Sequence, residues 1–207
     1  VVIGFAEALS APEVVWSLVD SGCEVIAFSR IGRHSALRHS RYVTVHEVTA
    51  PEMDCYKTLA EWTALLDSCH KGSTYQHVLL PLDDAAVWLC NQVKPTSNWI
   101  LAGPSGKCAE LALNKRLQVE AAKAAGFNVP ETSIVSTVQE LASKVSVYPV
   151  ILRPADAISV NGIKFRKGRN SICSDEGELN LASTTWAGNG PLLVQPFLDG
   201  NGEGVFG

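Results

Sequence analysis

Strand signals and helix signals take turns through the first hundred residues, and that alternation constrains the fold more than any other feature. Val1-Val2-Ile3-Gly4-Phe5 has no polar side chain, as expected of a strand buried on both faces of a parallel sheet. Ser10-Ala11-Pro12-Glu13 reads as a capping box with proline at the start of a helix. Val14, Val15, Leu18 and Val19 then form its apolar face, and Gly22 ends it. Further strands are predicted over Cys23 to Phe28, Tyr42 to Val48, His77 to Leu80 and Trp99 to Leu101. Between them, Leu59, Trp62, Leu65 and Leu66 are spaced as on a helix. Asp83-Asp84 is placed to cap a helix over Ala85 to Gln92. Such alternation implies a parallel, doubly wound sheet.

The texture changes at Gly103-Pro104-Ser105. Residues 107–125 are rich in Ala, Leu and Lys and predict one long helix, stopped by Gly126 and Pro130. A strand near Ser133 to Val135 and a helix over 138–145 follow. Tyr148 to Pro154 is a strong apolar strand, Asn161-Gly162 a two-residue hairpin turn, and Ser174 the cap of a short helix. Leu192-Leu193-Val194 is a last strand. The boundary between the two textures falls near 102–106.

Composition narrows the function classes. The 17 Lys+Arg against 21 Asp+Glu leave a net charge of −4, which argues against nucleic acid as a partner. No apolar run has the length of a membrane span. The first ten residues lack a basic start and carry Glu7, so a secretory leader is not expected. The six cysteines form no CxxC, so they read as reduced thiols of a cytoplasmic protein. The histidines include no HExxH, and no histidine metal site is expected.

After the first strand only Gly4 is present, with Ala6, Ala8 and Ser10 in place of further glycines, so the dinucleotide fingerprint is absent. Gly106-Lys107 is not a P-loop, because Leu101 and Cys108 stand where Gly and Ser or Thr are needed. Asp83-Asp84, at a strand's carboxyl end, reads as a helix cap in preference to a metal site. Two basic clusters stand out, Arg30, Arg33, Arg38 and Arg41, then Lys164, Arg166, Lys167 and Arg169. The first reads as solvated surface; the second divides evenly between surface and a phosphate cradle.

Four segments, in order, resemble the first half of an ATP-grasp domain. They are Gly103-Pro104-Ser105 with Asn114-Lys115, then Ala124 to Thr132 (Ala-Ala-Gly-Phe-Asn-Val-Pro-Glu-Thr), then Tyr148 to Pro154, then Val194 to Gly204 (Val-Gln-Pro-Phe-Leu-Asp-Gly-Asn-Gly-Glu-Gly). The flavour is that of the carbamoyl-phosphate-synthase-like group of carboxylate–amine ligases. The fold this implies is α/β: a Rossmann-like, parallel-sheet domain of the type that precedes ATP-grasp over 1–104, then a partial α+β ATP-grasp domain over 105–207. By the same resemblance Lys115 and Arg153 would meet ATP phosphates. Gln195, Pro196, Phe197 and Leu198 would form the hinge against the adenine, and Glu203 would accept from the ribose. Two departures are visible: Pro196 stands where the family has Glu, and Ala155 to Ser159 holds no glycine where the family has a glycine-rich turn.

The implied partners are ATP, a small carboxylate and an amine, and a homo-oligomer is compatible with them. The Mg2+ ligands of such enzymes are expected beyond Gly207, so catalytic residues are not assigned and the fragment is expected to be inactive. Two alternatives remain open. One is a non-catalytic ATP-binding sensor or regulatory domain of the same fold; the other is a Rossmann-type oxidoreductase.

Overall fold

The computed structural model describes residues 1–70, 75–93, 99–186 and 190–200. In chain order the first part is β1 (Val2–Gly4), α1 (Ala11–Asp20), β2 (Val25–Arg30), a 3-10 turn (Ala36–His39), β3 (Val43–Val48), α2 (Cys55–His70), β4 (His77–Pro81), α3 (Asp84–Gln92) and β5 (Trp99–Leu101). These strands form a five-stranded sheet in the order β3-β2-β1-β4-β5, with every pairing parallel. The doubly wound sheet expected from the alternation is present.

Each face of the sheet is covered. On one side Ile3, Val25 and Ala27 pack with Ala11 and Val15 of α1 and Leu37 of the 3-10 turn. On the other, Val2, Phe28 and Leu79 meet Trp62 and Leu66 of α2 and Leu89 of α3. Trp62 stacks on Phe28 with ring centroids 4.2 Å apart and tilts against Phe5 at 5.4 Å. Gly4 makes this possible. A Cβ there would lie 2.6 Å from the Trp62 ring, closer than any side chain can come.

Two caps differ from expectation. Ser10 is itself in the helical region, at φ −77 and ψ −10, and makes no side-chain cap bond. Its hydroxyl therefore cannot reach back from the extended backbone that a cap requires. Pro12 does sit at the helix start. Ser174 also yields its place: Asp175 Oδ1 accepts from Glu178 N–H at 2.9 Å, and Glu178 Oε2 accepts from Ser174 N–H.

The second part runs through α4 (Lys107–Leu113), α5 (Lys115–Ala124), β6 (Ser133–Val135), α6 (Val138–Lys144), β7 (Val150–Pro154), β8 (Ile158–Asn161), β9 (Lys164–Lys167), β10 (Ser171–Cys173), α7 (Glu176–Trp186) and β11 (Leu192–Pro196). The long helix expected over 107–125 is two helices. Asn114 breaks it by leaving the helical region, at φ −123, and caps α5 by accepting from Leu117 N–H at 3.0 Å. The hairpin turn is shifted by one residue. Asn161 pairs with Lys164, so Gly162 and Ile163 form the loop, with Gly162 at φ +60 as the first position of such turns prefers.

Contacts divide the chain into two compact units. The first is Val1–Leu113 together with Ile158–Lys167; the second is Asn114–Ala157 together with the described residues from Gly168 on. The β8–β9 hairpin thus belongs to the first unit although second-unit chain flanks it on both sides. Phe165, 2% exposed, enters the same cluster as Trp62 and Leu89. Among the described residues no helix is long and apolar enough to cross a membrane.

Candidate functional site

The second unit is built on a four-stranded antiparallel sheet, β10-β7-β11-β6. One face packs against helices: Val135, Val150, Leu152, Leu192 and Val194 join Leu141 of α6 and Leu179 and Trp186 of α7. Strand alternation sends the intervening residues to the other face. Register places Arg153 opposite Leu193, which lies opposite Ile134, and Gln195 opposite Ile151, which lies opposite Ile172. At the edges of this face Ile134 is 44% and Ile172 51% exposed. This second face is therefore mostly apolar, with one cation and one amide set into it, and Leu193 at its middle is 0% exposed.

Arg153 is the unusual member. It closes an apolar strand, and its Nε is buried without a hydrogen-bond partner among the described residues. A buried guanidinium N–H left unmade is costly, and an anion laid against it relieves that cost. Lys115 is brought beside the end of the same strand by backbone pairing. Its N–H donates to the Ala155 carbonyl at 2.7 Å, and Asn114 Nδ2 donates to Asp156 Oδ1 at 2.6 Å. The residues read from sequence as phosphate-facing, Lys115 and Arg153, thus lie at one end of β7.

The residues expected to form the hinge differ in their surroundings. Gln195 is 6% exposed and its Nε2 donates to Thr132 Oγ1 at 2.8 Å, while the Thr132 hydroxyl donates to the Pro130 carbonyl at 2.9 Å. Gln195 is a buried strand residue, held by a partner for which the sequence offered no role. Pro196 ends β11 and is exposed. Phe197 N–H donates to the Pro149 carbonyl at 3.0 Å, which ties the start of the hinge to β7. Phe197 and Leu198 are 37% and 66% exposed, apolar surface just past the end of β11. Glu203 lies outside the described residues.

The first unit holds an ion-pair cluster at the carboxyl ends of its strands, where open α/β sheets bind ligands. Arg30, 8% exposed, bonds Glu7 at 3.1 Å and Asp83 at 2.9 Å, approaches Glu52 at 3.4 Å, and lies 3.7 Å over the Phe5 ring. The expectation of a solvated Arg30 is overturned, because three carboxylates and an aromatic face compensate its burial. The signal was available: like Arg153, Arg30 ends an apolar strand. Asp83 is a cap, accepting from Ala86 N–H at 2.8 Å with the oxygen that Arg30 leaves free. Among the described residues no group of three or more His, Cys, Asp or Glu is placed to hold a metal ion, so the donors needed for Mg2+ are not assembled there.

No family model and no curated protein matches the sequence. Solved structures do match. The L-amino acid ligase of Bacillus licheniformis superposes with a TM-score of 0.62 at 15% identity, over 96% of this chain and 44% of that one. Biotin carboxylase of Campylobacter jejuni, solved as a complex with an ATP analogue, gives 0.57 at 16% identity, over 96% and 45%. An ATP-grasp RimK domain protein of Sphaerobacter thermophilus gives 0.51 at 11% identity, over 96% and 63%. This is a partial ATP-grasp fold. The chain spans under two thirds of each of these relatives, and under half of the first two.

Proposed function

We propose that this chain is the ATP-binding portion of a ligase that activates a carboxylate as an acylphosphate for attack by an amine. The observation that carries the reading is Arg153, a half-buried cation whose Nε is buried with no hydrogen-bond partner among the described residues, on the mostly apolar second face of the antiparallel sheet, at the end of β7 where Lys115 also pairs. The adenine takes the apolar surface toward Phe197 and Leu198, and backbone groups of the hinge meet its edge. The triphosphate lies toward Arg153 and Lys115. Arg153 grips phosphate oxygens through its planar fork, and Lys115 adds a point charge.

The terminal phosphoryl group passes to a carboxylate oxygen, and ADP leaves with the bridging oxygen. The amine nitrogen then attacks the acyl carbon, phosphate departs, and the nitrogen loses a proton to give the amide. Both cations act by position and charge, which is what phosphoryl transfer asks of a protein. Free thiols, some of them buried, suit a reducing compartment, and we place the protein in the cytoplasm.

The test is thermal stabilisation of the full-length protein by Mg-ATP, with NAD as comparison. A ligand that binds only the folded state raises stability by an amount set by its concentration over its Kd. A shift with ATP alone supports the reading, and phosphate release is then screened across carboxylates and amines. A shift with NAD alone, or with neither, overturns it.

A further inference from the structure

Trp62, Trp99 and Trp186 are buried, but Trp16 on α1 is 63% exposed. Tyr42, just before β3, is 58% exposed. Both line one hollow of about 470 Å³ on the flank of α1, within the size range of small-molecule sites. Pro12 and the buried Leu37 give it an apolar floor. Arg41 and His39 also line it, and no acidic residue does. Asp20 lines a second hollow that shares Trp16 and Tyr42.

Arg41 is the informative member. Its guanidinium stands 4.8 Å over the Tyr42 ring, and its Nη2 donates to the Tyr42 hydroxyl at 2.6 Å. Arg30, Arg38 and Arg116 each pair with a carboxylate; among the described residues Arg41 does not. The wall that carries it is pinned. Ser40 Oγ accepts from Tyr42 N–H at 3.2 Å, Ser40 N–H donates to the Leu37 carbonyl at 3.0 Å, and Leu37 N–H donates to Ser35 Oγ at 3.2 Å. The Ser35 hydroxyl donates in turn to the Ala6 carbonyl at 2.9 Å. A wall held in this way lowers the ordering cost of binding.

We infer that this hollow is a binding site for a planar aromatic acid, with the ring against Trp16 above Leu37 and the carboxylate on Arg41. The flat ring covers apolar surface that is otherwise wet, and the planar guanidinium supplies charge-assisted hydrogen bonds. A non-planar acid keeps only the charge, and a neutral ring keeps only the stacking. A second copy of this chain is the poorer occupant, because a two-fold contact sets a patch against itself and this lining has cations without an acid. The site lies wholly in the first unit and shares no residue with the ATP site proposed above.

The experiment is calorimetric titration of the full-length protein with 1-naphthoate, 1-naphthamide and cyclohexanecarboxylate. Wild type is expected to bind naphthoate about tenfold more tightly than either comparison compound. Arg41→Gln should weaken naphthoate about tenfold and leave naphthamide within about twofold. Trp16→Leu should weaken both, with an unchanged circular dichroism spectrum. Arg33→Gln, which removes an exposed cation outside the hollow, should leave all three unchanged. A wild type without preference for naphthoate, or an Arg41→Gln variant that binds it as wild type does, overturns the inference. So does a wild-type dimer in sedimentation that ignores naphthoate and that Trp16→Leu dissociates, since this face then holds a second copy. Stabilisation by Mg-ATP is read separately, so either reading can fail alone.

Discussion

A single arginine at the end of an apolar strand occurs twice in this chain, with opposite outcomes. Each keeps a buried Nε without a hydrogen-bond partner, but three carboxylates surround the Arg30 guanidinium and none forms an ion pair with Arg153 among the described residues. The difference predicts that Arg153→Ala weakens ATP binding by tenfold or more, about 1.4 kcal/mol, while Arg41→Ala leaves it unchanged, as read by calorimetry. Equal small effects would remove Arg153 from the site. A second prediction concerns Cys90. Burial first, and the nearby Asp83 charge second, push its thiol well above the ordinary 9.0. The folded state thus holds a proton that the unfolded state releases. The sign follows: this stabilisation is complete below the unfolded value of 9.0 and declines as pH rises past it toward the folded value. Denaturant titrations between pH 8 and 10 should show a loss of stability that Cys90→Ala reduces.

Elements were legible wherever periodicity and punctuation agreed. Every strand of the parallel sheet was predicted, β1, β2, β4 and β5 from short apolar runs and the edge strand β3 from its β-branched alternation. The break at Asn114 was not legible, because Asn is tolerated within a helix and only its partner Asp156, 42 residues later, makes leaving the helix favourable. Asn114→Ala should cost about 1–2 kcal/mol, since it deletes both the cap and the Asp156 bond. Asn114→Ser, which retains a capping oxygen, should cost less in the same chemical denaturation assay. Gly168 is another such position. A Cβ there would stand 2.7 Å from Pro154, so Gly168→Ala should lower the melting temperature and disturb the end of β7, where Arg153 lies. The last strand was readable as a segment, but not the commitment of Gln195 to Thr132, which depends on a hydrogen bond across 63 residues.

For the molecule as a whole there are three apolar clusters, one on each face of the parallel sheet and one on a face of the antiparallel sheet. Periodicity supplied the fold class. It was silent about which core Phe165 enters, because Ile158 to Lys167 carries the same alternation whichever neighbour it packs on. That membership has a consequence during synthesis. Chain emerges from the ribosome in order, yet the first unit lacks Phe165 until the ribosome has translated past residue 167. Until then Trp88 has no Phe165 against it and the apolar surface shared by α2 and α3 stays wet. A nascent chain stalled with residues 1–113 outside the exit tunnel should be cut readily by protease, and one with 1–167 outside should resist. Equal resistance would show that the hairpin is a late ornament on a unit already complete.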